Sequence, residues 1–245
     1  MNNFTLEIIG FTLNGCLAAQ SAGAHRIELC DNATEGGTTP SYGFIKQARA
    51  KLSIGLYPII RPRGGDFFYS DEEVEIMKTD IRICKELGCD GVVIGLLLKD
   101  GAVDKKATSK LVRLAYPMGV SFHRAFDRTL NAEQALEDII ETGCERILTS
   151  GQMPNAVEGS ANIKALIKQA DDRIIIMPGS GINANNILQI AWETGATEFH
   201  ASARIFQESK MEFSNINLSE NSDSPTVEKS AVKKMLEVLE KIDNT

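Results

Sequence analysis

The stretch Gly88-Cys89-Asp90-Gly91-Val92-Val93-Ile94-Gly95-Leu96 decides the fold. Gly88 is a typical left-handed terminator for a preceding helix. The continuous β-branched run that follows is typical of a strand with both faces buried. A helix end that leads at once into a buried strand predicts an α/β protein with a parallel sheet.

The same junction recurs along the chain. Its other copies are Gly23-Ala24-His25-Arg26-Ile27, Gly143-Cys144-Glu145-Arg146-Ile147 and Gly195-Ala196-Thr197-Glu198-Phe199. Successive copies lie 52 to 65 residues apart, which is about two strand–helix units of roughly 30 residues each. Eight such units predict a single (β/α)₈ TIM-barrel domain over residues 1–245. A doubly wound open sheet is the alternative, but the first strand lacks the G-x-G-x-x-G turn of a dinucleotide fold.

Some boundaries follow from local signals. Ser70 and Glu73 have the spacing of a capping box and predict a helix start. Strands are predicted over 119–126 and 197–203. The polar stretch at about 206–225 predicts an irregular loop, and an amphipathic helix over 227–242 closes the chain.

Composition excludes several classes of function. The 245 residues are 43% hydrophobic and 24% charged, as in an average globular protein, and 26 basic against 33 acidic residues give a net charge of −7. This balance argues against nucleic-acid partners, and the absence of a long apolar run or a signal-peptide pattern argues against a membrane. Five cysteines without a C-x-x-C pair predict reduced thiols in the cytoplasm and no structural zinc.

The stretch Ile59-Ile60-Arg61-Pro62-Arg63-Gly64-Gly65-Asp66-Phe67 brings charge to the end of a buried strand. Arginine binds carboxylate or phosphate in a planar, bidentate manner, and the glycine pair lets backbone approach a ligand. A surface turn whose arginines are solvated or bridge to a helix is the alternative interpretation.

A barrel places its reactive groups at the carboxyl ends of its strands. Alternation with apolar neighbours predicts that Glu7 and Glu28 point into the barrel, where Arg61 and His123 are the nearest expected partners. A structural charge network that fills the barrel is the alternative. Two interpretations of His200 stay open, namely a residue of the site and a core histidine that bonds to a neighbouring backbone carbonyl. The candidates for acid–base catalysis are Glu7, Glu28, His123 and Asp127, and those for binding an anion are Arg61, Arg63 and Arg124.

A glycine-rich turn, Pro178-Gly179-Ser180-Gly181, follows the seventh predicted strand. Together with Ser202 after the eighth strand, it lies where many barrels bind phosphate through backbone amides. The predicted binding residues are therefore Gly179, Ser180, Gly181 and Ser202, and the predicted ligand is a small phosphorylated molecule.

Cys30 is the predicted metal ligand. A soft thiolate suits Cu(I), although a lone cysteine on a strand is more often a buried apolar residue.

Five segments together resemble the CutC family of copper homeostasis proteins. They are Arg26-Ile27-Glu28-Leu29-Cys30, Glu35-Gly36-Gly37-Thr38-Thr39-Pro40, Ile60-Arg61-Pro62-Arg63-Gly64-Gly65-Asp66-Phe67, Phe122-His123-Arg124-Ala125-Phe126-Asp127 and Leu148-Thr149-Ser150-Gly151. The resemblance implies a cytoplasmic, homodimeric TIM barrel that binds copper and acts in copper homeostasis, with no established reaction.

The resemblance carries over unevenly to single residues. Of the two thiols suggested as copper ligands in the family, one matches Cys30, whereas the other position holds Ile9. The charged positions of the family pattern match Glu7, Glu28, Arg61, His123, Arg124 and Asp127. An enzyme that acts on a small phosphorylated or carboxylated metabolite is therefore the alternative to copper binding, and a non-catalytic dimeric scaffold is a third hypothesis.

Overall fold

A computed structural model describes residues 4–215, 217–219 and 222–243 of the chain. Eight parallel strands alternate with helices, which confirms the predicted α/β fold class and its (β/α)₈ TIM barrel. The strands are β1 (Thr5–Gly10), β2 (Arg26–Leu29), β3 (Gly55–Pro58), β4 (Gly91–Ile94), β5 (Gly119–Phe122), β6 (Arg146–Thr149), β7 (Ile175–Pro178) and β8 (Glu198–Ala201). The helices are α1 (Leu13–Ser21), α2 (Tyr42–Lys51), α3 (Asp71–Glu86), α4 (Lys105–Ala115), α5 (Ala132–Thr142), α6 (Ser160–Ala170), α7 (Ile187–Thr194) and α8 (Lys229–Asp243).

Strand ladders divide the barrel into two half-sheets. One half has the order β3-β2-β1-β8 and the other has the order β4-β5-β6-β7. The isolated bridge between Ile59 and Val93 joins β3 to β4. No ladder joins β7 to β8 in the part of the chain that the structure describes. The register in the first half pairs Glu7 with His200 and Ile9 with Glu28.

Alternation along the strands produces two apolar layers. Leu6 and Ile8 of β1 belong to the large core between strands and helices, whereas Ile9 packs in a smaller cluster with Cys30 and Ile59. Successive side chains of a strand point to opposite faces. The second cluster is thus the barrel interior, and Glu7 and Glu28 point into it, as predicted.

Helix ends follow the predicted signals. Ser70 and Glu73 form the capping box at the start of α3. The four glycines of the repeated junction, Gly23, Gly88, Gly143 and Gly195, all have φ between +75° and +102°. A residue with a Cβ rarely adopts this conformation, so the repeat marks positions where each helix must stop before the next strand.

Several predicted boundaries are wrong at the carboxyl ends of strands. Strand β5 ends at Phe122 rather than at residue 126, because the His123 side chain caps a 3₁₀ helix over Arg124–Arg128. Strand β8 ends at Ala201, and Ala203 has a φ of 42° that a strand does not permit.

The stretch predicted to be an irregular loop is partly ordered. It begins and ends in an antiparallel pair, β9 (Arg204–Gln207) and β10 (Ser224–Val227), whereas residues 216, 220 and 221 of the predicted loop lie outside the described residues. The closing helix starts at Lys229, two residues later than predicted. Among the described residues, no helix has the length and apolar character needed to cross a membrane.

Candidate functional site

A cavity of about 240 Å³ lies at the carboxyl ends of the barrel strands. It brings together seven predicted site residues, which are Glu28, Arg61, His123, Arg124, Ser180, Gly181 and Ser202. Five others do not line it, and these are Glu7, Cys30, Arg63, Asp127 and Gly179. His200, which is not among the predicted catalytic residues, lines the cavity as well.

Glu7, His200 and Glu28 form a buried chain of titratable side chains. His200 Nδ1 lies 2.8 Å from Glu7 Oε1, and His200 Nε2 lies 3.6 Å from Glu28 Oε2. Each of the three residues is at most 8% exposed. Strand register explains the arrangement, because Glu7 on β1 is the direct partner of His200 on β8 and Glu28 lies on β2, the other neighbour of β1.

The two carboxyl groups of this chain have opposite pKa shifts. Burial disfavours the charge of Glu7, but the hydrogen bond from His200 and the charge of Arg26 outweigh burial and lower the pKa of Glu7 to about 2. Burial raises the pKa of Glu28 to about 7, with the negative charge of Glu7 adding to the effect. Although burial acts against the cation, the bond to Glu7 and the charge of Glu28 raise the pKa of His200. Glu7 is therefore a permanent anion, whereas Glu28 can gain or lose a proton near neutral pH.

A layer of ion pairs lies beneath this chain, toward the amino ends of the strands. Arg26 donates to Glu7 Oε2 at 2.5 Å and to Glu198 Oε2 at 2.5 Å. Arg146 also donates to Glu198, at 2.6 Å. The expectation that Arg61 and His123 pair with the interior carboxylates is thus wrong, because Glu7 pairs with Arg26 and His200 and the nearest charged partner of Glu28 is His200. These ion pairs agree with the alternative hypothesis, a structural charge network that fills the barrel.

His123 is held as a neutral imidazole. Its Nδ1 accepts a hydrogen bond from the Ala125 N–H at 3.2 Å, so the ring proton is on Nε2. Burial and the nearby charge of Arg61 lower the pKa of His123 to about 3. Nε2 is buried and has no hydrogen-bond partner within the described chain. Phe67 packs against the ring with centroids 4.8 Å apart.

Arg61 ties two loops together at the cavity wall. Its Nη1 donates to the carbonyls of Glu35 and Gly37 at 2.6 and 2.9 Å, and its Nη2 donates to the carbonyl of Gly65 at 2.8 Å. Two nitrogen atoms of this guanidinium, which was predicted to bind an anion, therefore hold the loops after β2 and β3 in place. The Nε of Arg61 has no hydrogen-bond partner among the described residues.

Arg63 does not line the cavity. It donates to Glu73 at 2.5 Å and to Asp66 at 3.0 Å. More than a third of its side chain is exposed, so this arginine is consistent with the alternative interpretation of a surface turn.

Asp127 is fully occupied by hydrogen bonds from its neighbours. It accepts from Arg124 at 2.7 Å, from the Thr149 hydroxyl at 2.5 Å and from the backbone N–H groups of Ser150 and Gln152 at 3.1 Å. This carboxylate holds the β6 loop and Arg124 in place. Its predicted catalytic role remains a prediction.

The glycine turn after β7 adopts a left-handed conformation. Ser180 and Gly181 have φ values of 74° and 79°, and their backbone N–H groups donate to no other group of the described chain. Gly179 stands behind them, where a Cβ would approach Leu148 Cδ1 to 2.4 Å. Free N–H groups beside a cavity are suited to an anionic ligand.

Cys30 is enclosed in the barrel interior. The side chain has no exposed surface, and burial, with the charge of Glu28 adding to it, raises the pKa of the thiol well above its usual value. The neighbouring inward side chain is Ile9, which has no metal ligand. A Cu(I) site with two thiolates does not fit these residues.

The ligand atoms of Glu7, Glu28 and His200 lie within 4.8 Å of one another, as in a metal site. However, Glu7 already bonds to Arg26 and His200, so a metal ion would have to displace these contacts.

His200 is the main residue that sequence reasoning did not select. The sequence does contain a signal for this residue. His200 lies two residues after Glu198 in strand eight and so shares its inward orientation, and closure of the barrel places β8 beside β1. The three-dimensional register was needed to show that His200 meets Glu7.

Comparison with known proteins gives the family. The CutC family model matches residues 4–205 of the chain. The chain belongs to the CutC family. A family protein CutC of Chromobacterium violaceum is 54% identical over 199 residues, which cover 81% of this chain and 81% of the relative. The mouse protein named copper homeostasis protein cutC homolog is 48% identical over 214 residues, or 87% of this chain and 79% of that one.

A solved structure of the CutC family supports the fold as well. The crystal structure of a CutC protein from Streptococcus agalactiae is 36% identical in sequence and has a TM-score of 0.77, and the match covers 80% of this chain and 97% of that one. The family and the TIM barrel predicted from sequence are both confirmed.

Proposed function

We propose that this CutC protein is an enzyme that binds a small phosphorylated or carboxylated metabolite in the cavity and transfers a proton on it. The observation that carries this proposal is geometric, because the buried carboxyl of Glu28 lines one cavity with Arg61 and His123, whose Nε and Nε2 atoms have no hydrogen-bond partner among the described residues. Burial also raises the pKa of Glu28 to about 7. A general acid or base is most effective when its pKa lies near the working pH.

The donors of the cavity favour an anionic ligand. Arg124 and Arg204 line the cavity, as do Ser180 and Gly181 with their free backbone N–H groups. A phosphate or carboxylate would accept hydrogen bonds from these groups, and its charge would be balanced by Arg204, since Arg124 already pairs with Asp127. The size of the cavity limits the ligand to a small molecule.

A charge placed at the mouth of the cavity tests the anion site. We expect glycerol 3-phosphate or 2-phosphoglycolate to raise the melting temperature of the wild type. Ser202→Asp should abolish that shift, because its carboxylate repels the ligand. The matched control is Ser53→Asp at the opposite rim, where the hydroxyl lies near Gln20, and it should keep the wild-type response. Equal responses of the two variants would contradict an anion site here, and a lack of any response would favour the scaffold hypothesis.

Copper is the second candidate, and the names of relatives such as the mouse protein support it. Within this chain the predicted ligand is Cys30, a single buried thiol beside Ile9. Cu(I) prefers soft sulfur ligands, and one buried thiol offers only one of them. Anaerobic competition titration with Cu(I), on wild type and Cys30→Ser, tests this function, since stoichiometric binding that the variant loses would establish it.

We also propose that the protein acts in the cytoplasm as a homodimer. Support comes from the family resemblance and from the five cysteines, which are all free and buried. Light scattering behind a sizing column should give twice the chain mass, and a monomer mass at micromolar concentration would contradict the dimer.

A further inference from the structure

His123 carries a buried N–H for which the described chain offers no acceptor. Its Nδ1 is fixed as an acceptor by the Ala125 N–H at 3.2 Å, so the tautomer is set by the backbone. An unpaired buried donor costs stability. A ligand oxygen in the cavity that His123 lines would remove this cost, and the Nε of Arg61 is a second unpaired donor in the same wall.

Glu28 approaches the cavity from the other half-sheet. It lies on β2, whereas His123 follows β5. Both residues line the cavity, which is small enough for a ligand of a few carbon atoms to contact both sides. The Glu28 carboxyl lies beside His200, whose Nε2 is 3.6 Å from Oε2, and His200 Nδ1 is 2.8 Å from Glu7 Oε1.

From this arrangement we propose that the reaction is an enolisation, in which Glu28 removes a proton from a carbon next to a carbonyl and His123 donates a hydrogen bond to that carbonyl. The substrate class is a small phosphorylated α-hydroxy aldehyde or ketone. The inference rests on the proposed function, because the phosphate must first bind at the cavity.

Atoms and electrons balance without a further reactant. The Glu28 carboxylate takes the proton, the electrons of the broken C–H bond form a carbon–carbon double bond, and the electrons of the carbonyl double bond move to its oxygen. The Nε2–H of His123 stabilises the resulting oxyanion, as a neutral imidazole can. Glu28 then returns the proton to the former carbonyl carbon. The electrons of the neighbouring O–H bond form the new carbonyl, and the proton of that hydroxyl moves to the oxyanion, which completes an isomerisation. His200 acts as a positioning residue for Glu28.

The test compares two phosphorylated ligands by isothermal titration. Phosphoglycolohydroxamate is a planar mimic of the enediolate, whereas glycerol 3-phosphate carries the phosphate alone. We expect the mimic to bind about 100-fold more tightly to the wild type, because an enzyme binds its transition state more tightly than its ground state. Equal affinities would overturn the enolisation and leave the anion site standing, whereas no binding of either ligand would overturn the proposed function too.

Matched variants assign the roles of the two residues. His123→Gln keeps an N–H near the Nε2 position and should retain most of the preference for the mimic, whereas His123→Asn carries its N–H nearer Nδ1 and should lose it. Equal preference in these two variants would overturn the role of His123.

Solvent exchange tests the role of Glu28. In D₂O, wild type should exchange the carbon-bound hydrogen of dihydroxyacetone phosphate, as followed by proton NMR. Glu28→Gln should slow this exchange by about 100-fold, and the exposed control Glu133→Gln should not. Circular dichroism confirms that each variant is folded. A wild type that binds dihydroxyacetone phosphate without exchange, or an unchanged rate in Glu28→Gln, would overturn the proposal.

Discussion

Replacing Gly95 by alanine should displace His123 from its position at the cavity. The added Cβ would lie 2.3 Å from both Cε1 and Nδ1 of the imidazole, and 2.9 Å from the Cβ of Ala125. Because these distances are shorter than any van der Waals contact, the ring must move. When it moves, Nδ1 loses the hydrogen bond from the Ala125 N–H.

The loss of folding stability in Gly95→Ala has two parts. Overpacking in a filled core costs about 1–3 kcal/mol, and a lost hydrogen bond costs about 1 kcal/mol. We therefore expect Gly95→Ala to lower the free energy of unfolding by about 2–4 kcal/mol. In a chain of this length the melting temperature should fall by roughly 5–15 °C.

Urea unfolding measures the stability, and nitrogen NMR of the imidazole rings shows whether Nδ1 of His123 still accepts a hydrogen bond. The chain has only three histidines, so the signals are few. Gly43→Ala is the matched control, because a Cβ at this position of α2 meets nothing within 4 Å and alanine should stabilise the helix by about 0.5 kcal/mol. Unchanged stability of Gly95→Ala together with an unchanged His123 signal would refute the geometry described for this residue.

Three further perturbations test other parts of the site. The folded protein holds the Glu28 proton to about pH 7, against 4.5 as the ordinary value. Relative to Glu28→Gln, wild type should therefore lose stability as the pH rises from 4.5 through 7, and parallel pH profiles would contradict this. Arg61→Lys should cost about 2–3 kcal/mol, because one ammonium group cannot reach all three carbonyls in the plane of the guanidinium, whereas Arg82→Lys at an exposed position of α3 should cost under about 0.5 kcal/mol; similar losses in urea unfolding would refute the contrast. Cys30→Ser should leave weak Cu(I) binding unchanged in competition titration, and a large loss of affinity would show that the thiol is a ligand.

The sequence predicted the barrel because its signals are local. Left-handed glycines end the helices, and β-branched runs such as Val92 to Ile94 form buried strands. The inward orientation of Glu7 and Glu28 was predictable for the same reason, since alternation along one strand needs no knowledge of its neighbours.

Pairings between distant segments were not predictable in this way. Glu7 meets Arg26 and His200, and Arg61 meets backbone carbonyls of two loops. Such partners depend on barrel closure and on loop conformation, neither of which a single sequence encodes in a readable pattern. The predicted end of β5 is wrong because the His123 side chain accepts a hydrogen bond from the Ala125 N–H and starts a 3₁₀ helix there. Such local bonds between a side chain and the backbone compete with strand extension.

The division of the barrel into two half-sheets also bears on how the molecule moves. Ladders hold each half internally, whereas an isolated bridge joins β3 to β4, and β7 has no ladder to β8 among the described residues. Regions with fewer hydrogen bonds open at a lower free energy, so thermal fluctuations should concentrate at these two seams. Glu28 and His123 lie in different halves, so a fluctuation at a seam changes the distance between them. The missing ladders therefore make the distance between Glu28 and His123 less rigidly fixed than the distances within either half-sheet.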